Sequence, residues 1–212
     1  MPPETWVLAF DTAAAHCAAA VVLGDRVVSL RDEPMEKGQA ERLMPMLEAM
    51  LAEAGIGWRD LSVIGVGTGP GNFTGVRIAV AAARGLALGL AIPAVGVTSL
   101  EALVYGTAGV RLVTLDARRG AVYAQVFDGG VAVQCTLDSL PEVAVGAVCI
   151  GHRADEVAAV CGGIVAEPAF PLTVAMARIA LSRRDNTPRP APFYLRGADA
   201  SPPSDPPPVI LP

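Results

Sequence analysis

The sequence predicts an α/β protein containing a duplicated, strand-rich unit, and three observations carry that prediction. Short apolar runs alternate with helix-period segments through the first half of the chain. A pattern of strand, aspartate, strand, glycine turn, strand occurs twice, with Asp11 to Gly24 and Asp116 to Gly129 each 13 residues apart. A long glycine-rich segment, Gly67-Thr-Gly-Pro-Gly-Asn-Phe-Thr-Gly-Val-Arg77, joins an apolar run to a helix-period run.

Trp6–Phe10 is a strand ending at Asp11, and Cys17–Leu23 and Arg26–Leu30 form a hairpin across Gly24-Asp25, where glycine supplies the positive φ of a tight turn. Gln39–Ala54 has apolar residues at helical spacing. Pro45 falls inside it, which predicts a helix starting near Glu41, so that the missing amide belongs to the first turn. Ser62–Gly67 reads as a strand, Gly75–Leu90 as a helix and Ile92–Val97 as a buried strand. The pattern then restarts with strands at Arg111–Leu115, Val122–Phe127 and Val131–Val133 around a turn at Asp128-Gly129-Gly130. The rest of this second unit is a reduced copy, with strands at Val145–Ile150 and Ile164–Ala166 and helices at Ala154–Val160 and Thr173–Arg183. Residues 185–212 read as a proline-rich tail, mostly extended.

Of 212 residues, 52% are hydrophobic and 17% charged, so the chain can bury a full core. Its net charge of −5 excludes a protein that grips nucleic acid by a basic stripe of its own. Cys17, Cys135, Cys149 and Cys161 form no C-x-x-C pair, and with only His16 and His152 beside them no zinc spacing can be drawn. They read as small buried hydrophobes in a reducing cytoplasm. Met1-Pro2-Pro3-Glu4 lacks the basic start of a signal peptide. The most apolar stretch, Ile78–Val97, is interrupted by Arg84 and Pro93 before reaching the ~20 residues of a spanning helix, so no membrane segment is expected.

The Gly67–Arg77 segment holds the strongest candidate chemistry. Amides at a helix start point outward and can hold an anion, while Gly69 and Gly71 allow close backbone approach and Thr74 is positioned as an N-cap. The Gly-Lys-Ser/Thr end of a P-loop is missing, and the spacing does not fit a dinucleotide fingerprint. A tight turn packing helix on sheet accounts for the same residues equally well. Asp11-Thr12, at a strand end, could hold a metal–nucleotide or cap a turn. Asp116-Ala-Arg-Arg-Gly120 repeats that placement. Ala81, Gly85 and Gly89 form a small-residue stripe suited to close helix approach, and Met44, Met46 and Met50 suit an adaptable interface. Ser99 has no nucleophile-elbow context, and no convincing catalytic nucleophile or base is found.

Asp11-Thr12, Gly67–Arg77 and Ile92-Pro-Ala-Val-Gly-Val-Thr-Ser-Leu-Glu-Ala-Leu103 closely resemble the bacterial TsaB (YeaZ) family, with further matches at Glu41-Arg-Leu-Met-Pro45, Asp116–Gly120 and Pro192-Phe-Tyr-Leu-Arg196. The resemblance implies a two-lobed actin/Hsp70/sugar-kinase (ribonuclease H-like) fold of duplicated βββαβα units. The lobes would be residues 1–98, able to be completed by helix 173–184, and a degenerate lobe at 99–171. It also implies a non-catalytic subunit for forming N6-threonylcarbamoyladenosine at adenosine 37 of tRNAs reading ANN codons. Such a subunit pairs with a TsaD-type paralogue and a TsaE-type ATPase, meets tRNA through the complex, forms a homodimer in isolation, and sees ATP or ADP only within the complex.

The paralogue's metal-binding histidines correspond here to Ser99 and Leu103, so no metal site is expected. Ala121 stands where relatives often carry Glu. A weak nucleotide contact would fall to Asp11, Thr12, Gly69, Gly71 and Thr74. The partner interface would comprise Leu43, Met46, Leu47 and Met50 on the first helix and Arg77, Ala81, Arg84, Gly85 and Leu88 on the second. A glycoprotease-type peptidase and a small-molecule kinase of the same fold are the alternatives.

Overall fold

The computed structural model describes residues 5–127, 129–185 and 187–195. Asp128, Asn186, Arg196 and most of the predicted tail lie outside them.

The first unit runs β1 (Trp6–Asp11), β2 (His16–Leu23), β3 (Arg26–Pro34), α1 (Gln39–Glu53), β4 (Leu61–Gly67), α2 (Phe73–Leu90), β5 (Ala94–Val97) and α3 (Ser99–Val104). The second runs β6 (Arg111–Asp116), β7 (Val122–Phe127), β8 (Val133–Cys135), β9 (Val148–Gly151), α4 (Ala154–Cys161), β10 (Ile164–Val165) and α5 (Leu172–Arg183). The sheets are ordered β3-β2-β1-β4-β5 and β8-β7-β6-β9-β10, so the two units share one topology. In each, the first strand pairs antiparallel with the second and parallel with the fourth. The second unit is reduced: a 3-10 turn at Leu137–Ser139 stands where α1 stands in the first.

β1 alternates with period two and is buried on both faces, as a central strand must be. Leu8 and Phe10 point to a core formed with α1 and α2, while Val7 and Ala9 point to one formed with α5. Gly65 on β4 permits the second contact, since a Cβ there would lie 3.0 Å from the Met176 carbonyl of α5. The last helices are exchanged. α5 follows the second unit yet covers the first sheet, whereas Leu100 and Val104 of α3 pack with Val113 and Ile150 of the second. This exchange buries Val174, Ala175, Met176, Ala177, Ile179 and Ala180 of α5.

Four expectations are corrected. α1 begins at Gln39, behind Gly38 with φ 94°, so Pro45 sits within the helix rather than in its first turn. The lost amide bond costs about 3 kcal/mol, which burial of Leu43, Met46, Leu47 and Met50 at about 1.5–3 kcal/mol each offsets. Those four residues, expected at a partner interface, are at most 1% exposed and belong to the chain's own core. β3 extends to Pro34 because the whole length of β2 pairs with it, and Arg42 on α1 fixes its far end through two 2.6 Å bonds to Glu33. β8 starts at Val133, not Val131, because the Gly130 amide turns back to the Val126 carbonyl and the ladder re-forms only beyond it.

Candidate functional site

The glycine loop packs against its own chain. A Cβ on Gly67 would lie 1.7 Å from Asp11 Oδ2, one on Gly71 2.3 Å from the Ala13 carbonyl oxygen, and one on Gly75 1.9 Å from that of Thr12. The loop is thus wedged onto the β1–β2 turn. Asn72 N donates to the Ala13 carbonyl at 2.6 Å, and Thr12 Oγ donates to the Gly75 carbonyl at 2.6 Å. Gly69, with φ 95°, faces the Phe193 carbonyl, and its own carbonyl accepts from Ser99 N.

The start of α2 is occupied as well. Asn72, not Thr74, is the N-cap, its side chain accepting from the amides of Thr74 and Gly75. The Asn72, Thr74 and Gly75 amides are therefore committed internally, and the close approach that Gly71 allows is to Ala13. Phe73 stacks on Tyr194 with centroids 4.9 Å apart, Arg77 lies over Phe73, and Arg77 Nε donates to the Tyr194 hydroxyl at 3.0 Å. The segment after α5 thus returns to brace this corner.

Asp11 is 1% exposed. Its Oδ1 accepts from Ala13 N at 3.0 Å and from His16 Nε2 at 2.8 Å, while Oδ2 is buried without a hydrogen-bond partner. His16 Nδ1 faces Asp32 at 3.2 Å, so both ring nitrogens meet carboxylates and the imidazolium fits between them. Burial pulls the His16 pKa down, but the hydrogen bond and charge of Asp11, reinforced by Asp32, outweigh it and leave it raised. Asp116 repeats the motif in open form. Its Oδ1 accepts from Arg118 N at 2.7 Å, the same i to i+2 turn, with His152 at 4.0 Å. Arg118, Arg119 and Gly120 all adopt positive φ there.

The positions expected to lack metal ligands are structural. Ser99 is buried at the start of α3, Glu101 pairs with Arg183, and Leu103 packs in the second-sheet core. Among the described residues no cluster of three or more His, Cys, Asp or Glu could hold a metal ion. Burial pushes the Cys17 thiol up to about 11, which makes it a poor nucleophile.

What remains open is one face of α2. Gly75, Val76, Ala79, Val80 and Ala83 are buried, while Arg77, Ala81, Arg84, Gly85 and Leu88 are exposed. Leu88 is 80% exposed, and a Cβ on Gly85 or Gly89 would meet nothing within 4 Å. Arg84, Gly85 and Leu88 also border a cavity of about 660 Å³ completed by Ile92, Pro93 and Arg189. At 18 residues, α2 is the one described helix long and apolar enough to span a membrane. Its buried stripe packs on the first sheet, which leaves the other face exposed. Sequence reasoning missed His16, whose role depends on β2–β3 register, and Asn72, although asparagine before a helix start is itself a capping signal.

Comparison with known proteins agrees with this anatomy. The family model for TsaD, tRNA N6-adenosine threonylcarbamoyltransferase, matches residues 33–161. An uncharacterized protein of Mycobacterium tuberculosis is 36% identical over 200 residues, covering 92% of this chain and 94% of that protein. The tRNA threonylcarbamoyladenosine biosynthesis protein TsaB of Escherichia coli is 37% identical over 122 residues, 55% of this chain and 52% of its own, so this chain spans about half the length of that relative. The solved structure of YeaZ from Pseudomonas aeruginosa superposes with a TM-score of 0.67 at 27% identity, covering 90% of this chain and all of that one. The duplicated sheets and these neighbours place the fold in the two-lobed actin/Hsp70/sugar-kinase class. The chain belongs to the TsaB (YeaZ) family of tRNA threonylcarbamoyladenosine biosynthesis proteins.

Proposed function

We propose that this chain acts as a non-catalytic subunit in forming N6-threonylcarbamoyladenosine in tRNA, and that the exposed face of α2 seats a TsaD-type paralogue. The single observation that carries the seat is that face, with Leu88 exposed and Gly85 and Gly89 open beside it. Two helices can approach closely only where side chains are small, and an exposed leucine next to such a gap supplies apolar contact. The glycine loop supports the non-catalytic part, because the Asn72, Thr74 and Gly75 amides are bonded within the chain.

In this reading a TsaE-type ATPase joins the pair, tRNA is met through the complex, nucleotide enters only there, and the whole operates in the cytoplasm. The same face closes a homodimer when the paralogue is missing. Co-expression with the cognate TsaD-type protein should give one co-eluting species on size exclusion, and Leu88→Arg should split it in two. Separate elution of the unmodified proteins would overturn the seat. Calorimetric ATP binding by the isolated chain would favour a kinase of the same fold instead.

A further inference from the structure

Cys149 and Cys161 lie outside everything assigned above. Cys149 is fully buried in β9, and Cys161 is the half-buried last residue of α4. Their sulfurs stand 3.6 Å apart. The residue beside them carries an independent mark of the same pairing. A Cβ on Gly163 would lie 2.6 Å from Cys149 Sγ and 3.1 Å from Cys161 Sγ, so the side chain missing there leaves room for both sulfurs. α4 ends over β9, and the Gly163 and Ile164 amides bond back to the Ala158 and Ala147 carbonyls, which holds the turn closed.

We propose that Cys149 and Cys161 form an oxidisable dithiol that closes to an intramolecular disulfide when the chain meets hydrogen peroxide. The sulfurs must close from 3.6 Å to a bond of about 2.05 Å, a movement that side-chain rotation and a small shift of the end of α4 can supply. Cys161, the less buried member, reacts first. Its sulfur attacks the peroxide, the O–O bond breaks, one oxygen becomes Cys161 S–OH, and the other leaves as water with the thiol proton. The Cys149 sulfur then attacks Cys161 Sγ, the S–O bond breaks, and the departing hydroxide takes the Cys149 proton as a second water. Two thiols are oxidised and one peroxide is reduced to two waters. Burial, with the hydrogen bond to Cys161, holds the Cys149 thiol up at about 12. A thiol held up in this way reacts slowly with peroxide, which leaves the first oxidation to Cys161, and Cys149 enters the second step by proximity alone. The product ties the end of α4 to β9 across 12 residues, at the edge where β10 pairs.

Full-length protein, fully reduced, is treated with equimolar hydrogen peroxide, alkylated and examined by intact mass and non-reducing peptide mapping. The expected result is loss of two hydrogens, a fall from four alkylatable thiols to two, and a peptide pair linking Cys149 to Cys161 that a dithiol reductant dissolves. Cys149→Ser should stop at a sulfenic acid on Cys161 that a 1,3-dione reagent traps. Cys161→Ser, which changes the more exposed position, should keep all its remaining thiols free throughout and form no linked pair. Four free thiols after treatment of the parent would overturn the proposal, as would a linkage between chains or one through Cys17 or Cys135.

Discussion

Gly75 and Gly85 sit on the same helix, and their replacement by alanine should act in opposite directions. An added Cβ at Gly85 meets nothing within 4 Å. Glycine in a helix interior is about 0.8–1.0 kcal/mol less favourable than alanine, so Gly85→Ala should stabilise the isolated chain by about that amount. For a chain of this size that is a Tm rise of about 2–4 °C. At Gly75 the new carbon would lie 1.9 Å from the Thr12 carbonyl oxygen and 2.9 Å from its carbon, both backbone atoms. Nor can the helix withdraw freely, because Thr12 Oγ bonds the Gly75 carbonyl and Asn72 N bonds the Ala13 carbonyl.

Overpacking at about 1–3 kcal/mol, added to two strained hydrogen bonds at about 1 kcal/mol each, gives a loss near 3 kcal/mol or more. That is a Tm fall of about 6–12 °C. Thermal and urea unfolding of the two variants read both numbers. The isolated-chain and partner-bound effects of Gly85→Ala should also diverge. If a partner helix uses the Gly85 gap, the extra methyl costs about 1–3 kcal/mol of association, a weakening of about fivefold to 150-fold. A Gly75→Ala chain as stable as the parent would refute the wedged loop. A Gly85→Ala chain that gains stability and binds the paralogue unchanged would remove the α2 face as its seat.

Met46→Ala should cost about 2–5 kcal/mol in urea unfolding because the side chain is fully buried, whereas exposed Met44→Ala should stay within about 0.5 kcal/mol. Equal costs would contradict the assignment of one face of α1 to the core. Asn72→Ala should lower stability by about 1 kcal/mol through the lost cap, and Thr74→Ala should be close to neutral by the same thermal assay. His16 makes stability depend on pH with a definite sign. Its folded pKa is raised above 6.5 by the flanking carboxylates, so its contribution is complete below that value and is lost as pH climbs through the raised one. The gap between the parent and His16→Gln in urea midpoints should therefore shrink from about pH 6 to about pH 8. A gap that widens over that range would show the imidazolium is not held between Asp11 and Asp32.

Much of the fold was legible because it is written in local periodicity. The run Trp6–Phe10, the hairpin at Gly24-Asp25 and the helix before Gly55 all needed only neighbouring residues. The repeat could be read from spacing alone, and the structure gives it an atomic form, since Asp11 and Asp116 each accept from the amide two residues on. Contacts that depend on distant chain were not legible. Pro45 argued for a late helix start, yet burial of Leu43, Met46, Leu47 and Met50 overrode it. Those same residues could be either core or interface until the sheet beneath them was in place. The exchange of α3 and α5 left no periodic trace, and the covering of the first lobe by helix 173–184 was an expectation of the family resemblance alone.

The glycines show where residue pattern stops being informative. From Gly67 to Gly89 they recur at short intervals, and a sequence assigns them one purpose, close approach. The structure separates them by what approaches. Gly67, Gly71 and Gly75 admit the chain's own β1–β2 turn. Gly85 and Gly89 admit nothing from this chain. α2 is therefore rigidly seated at its first turns and unfilled on its outer face toward the end. A rigid helix offers a preorganised surface, and preorganisation reduces the ordering cost of association. In the proposed assembly the two halves of the glycine series serve one end: the first fixes the helix on the sheet, and the second keeps its outer face low enough for a second helix to lie against it.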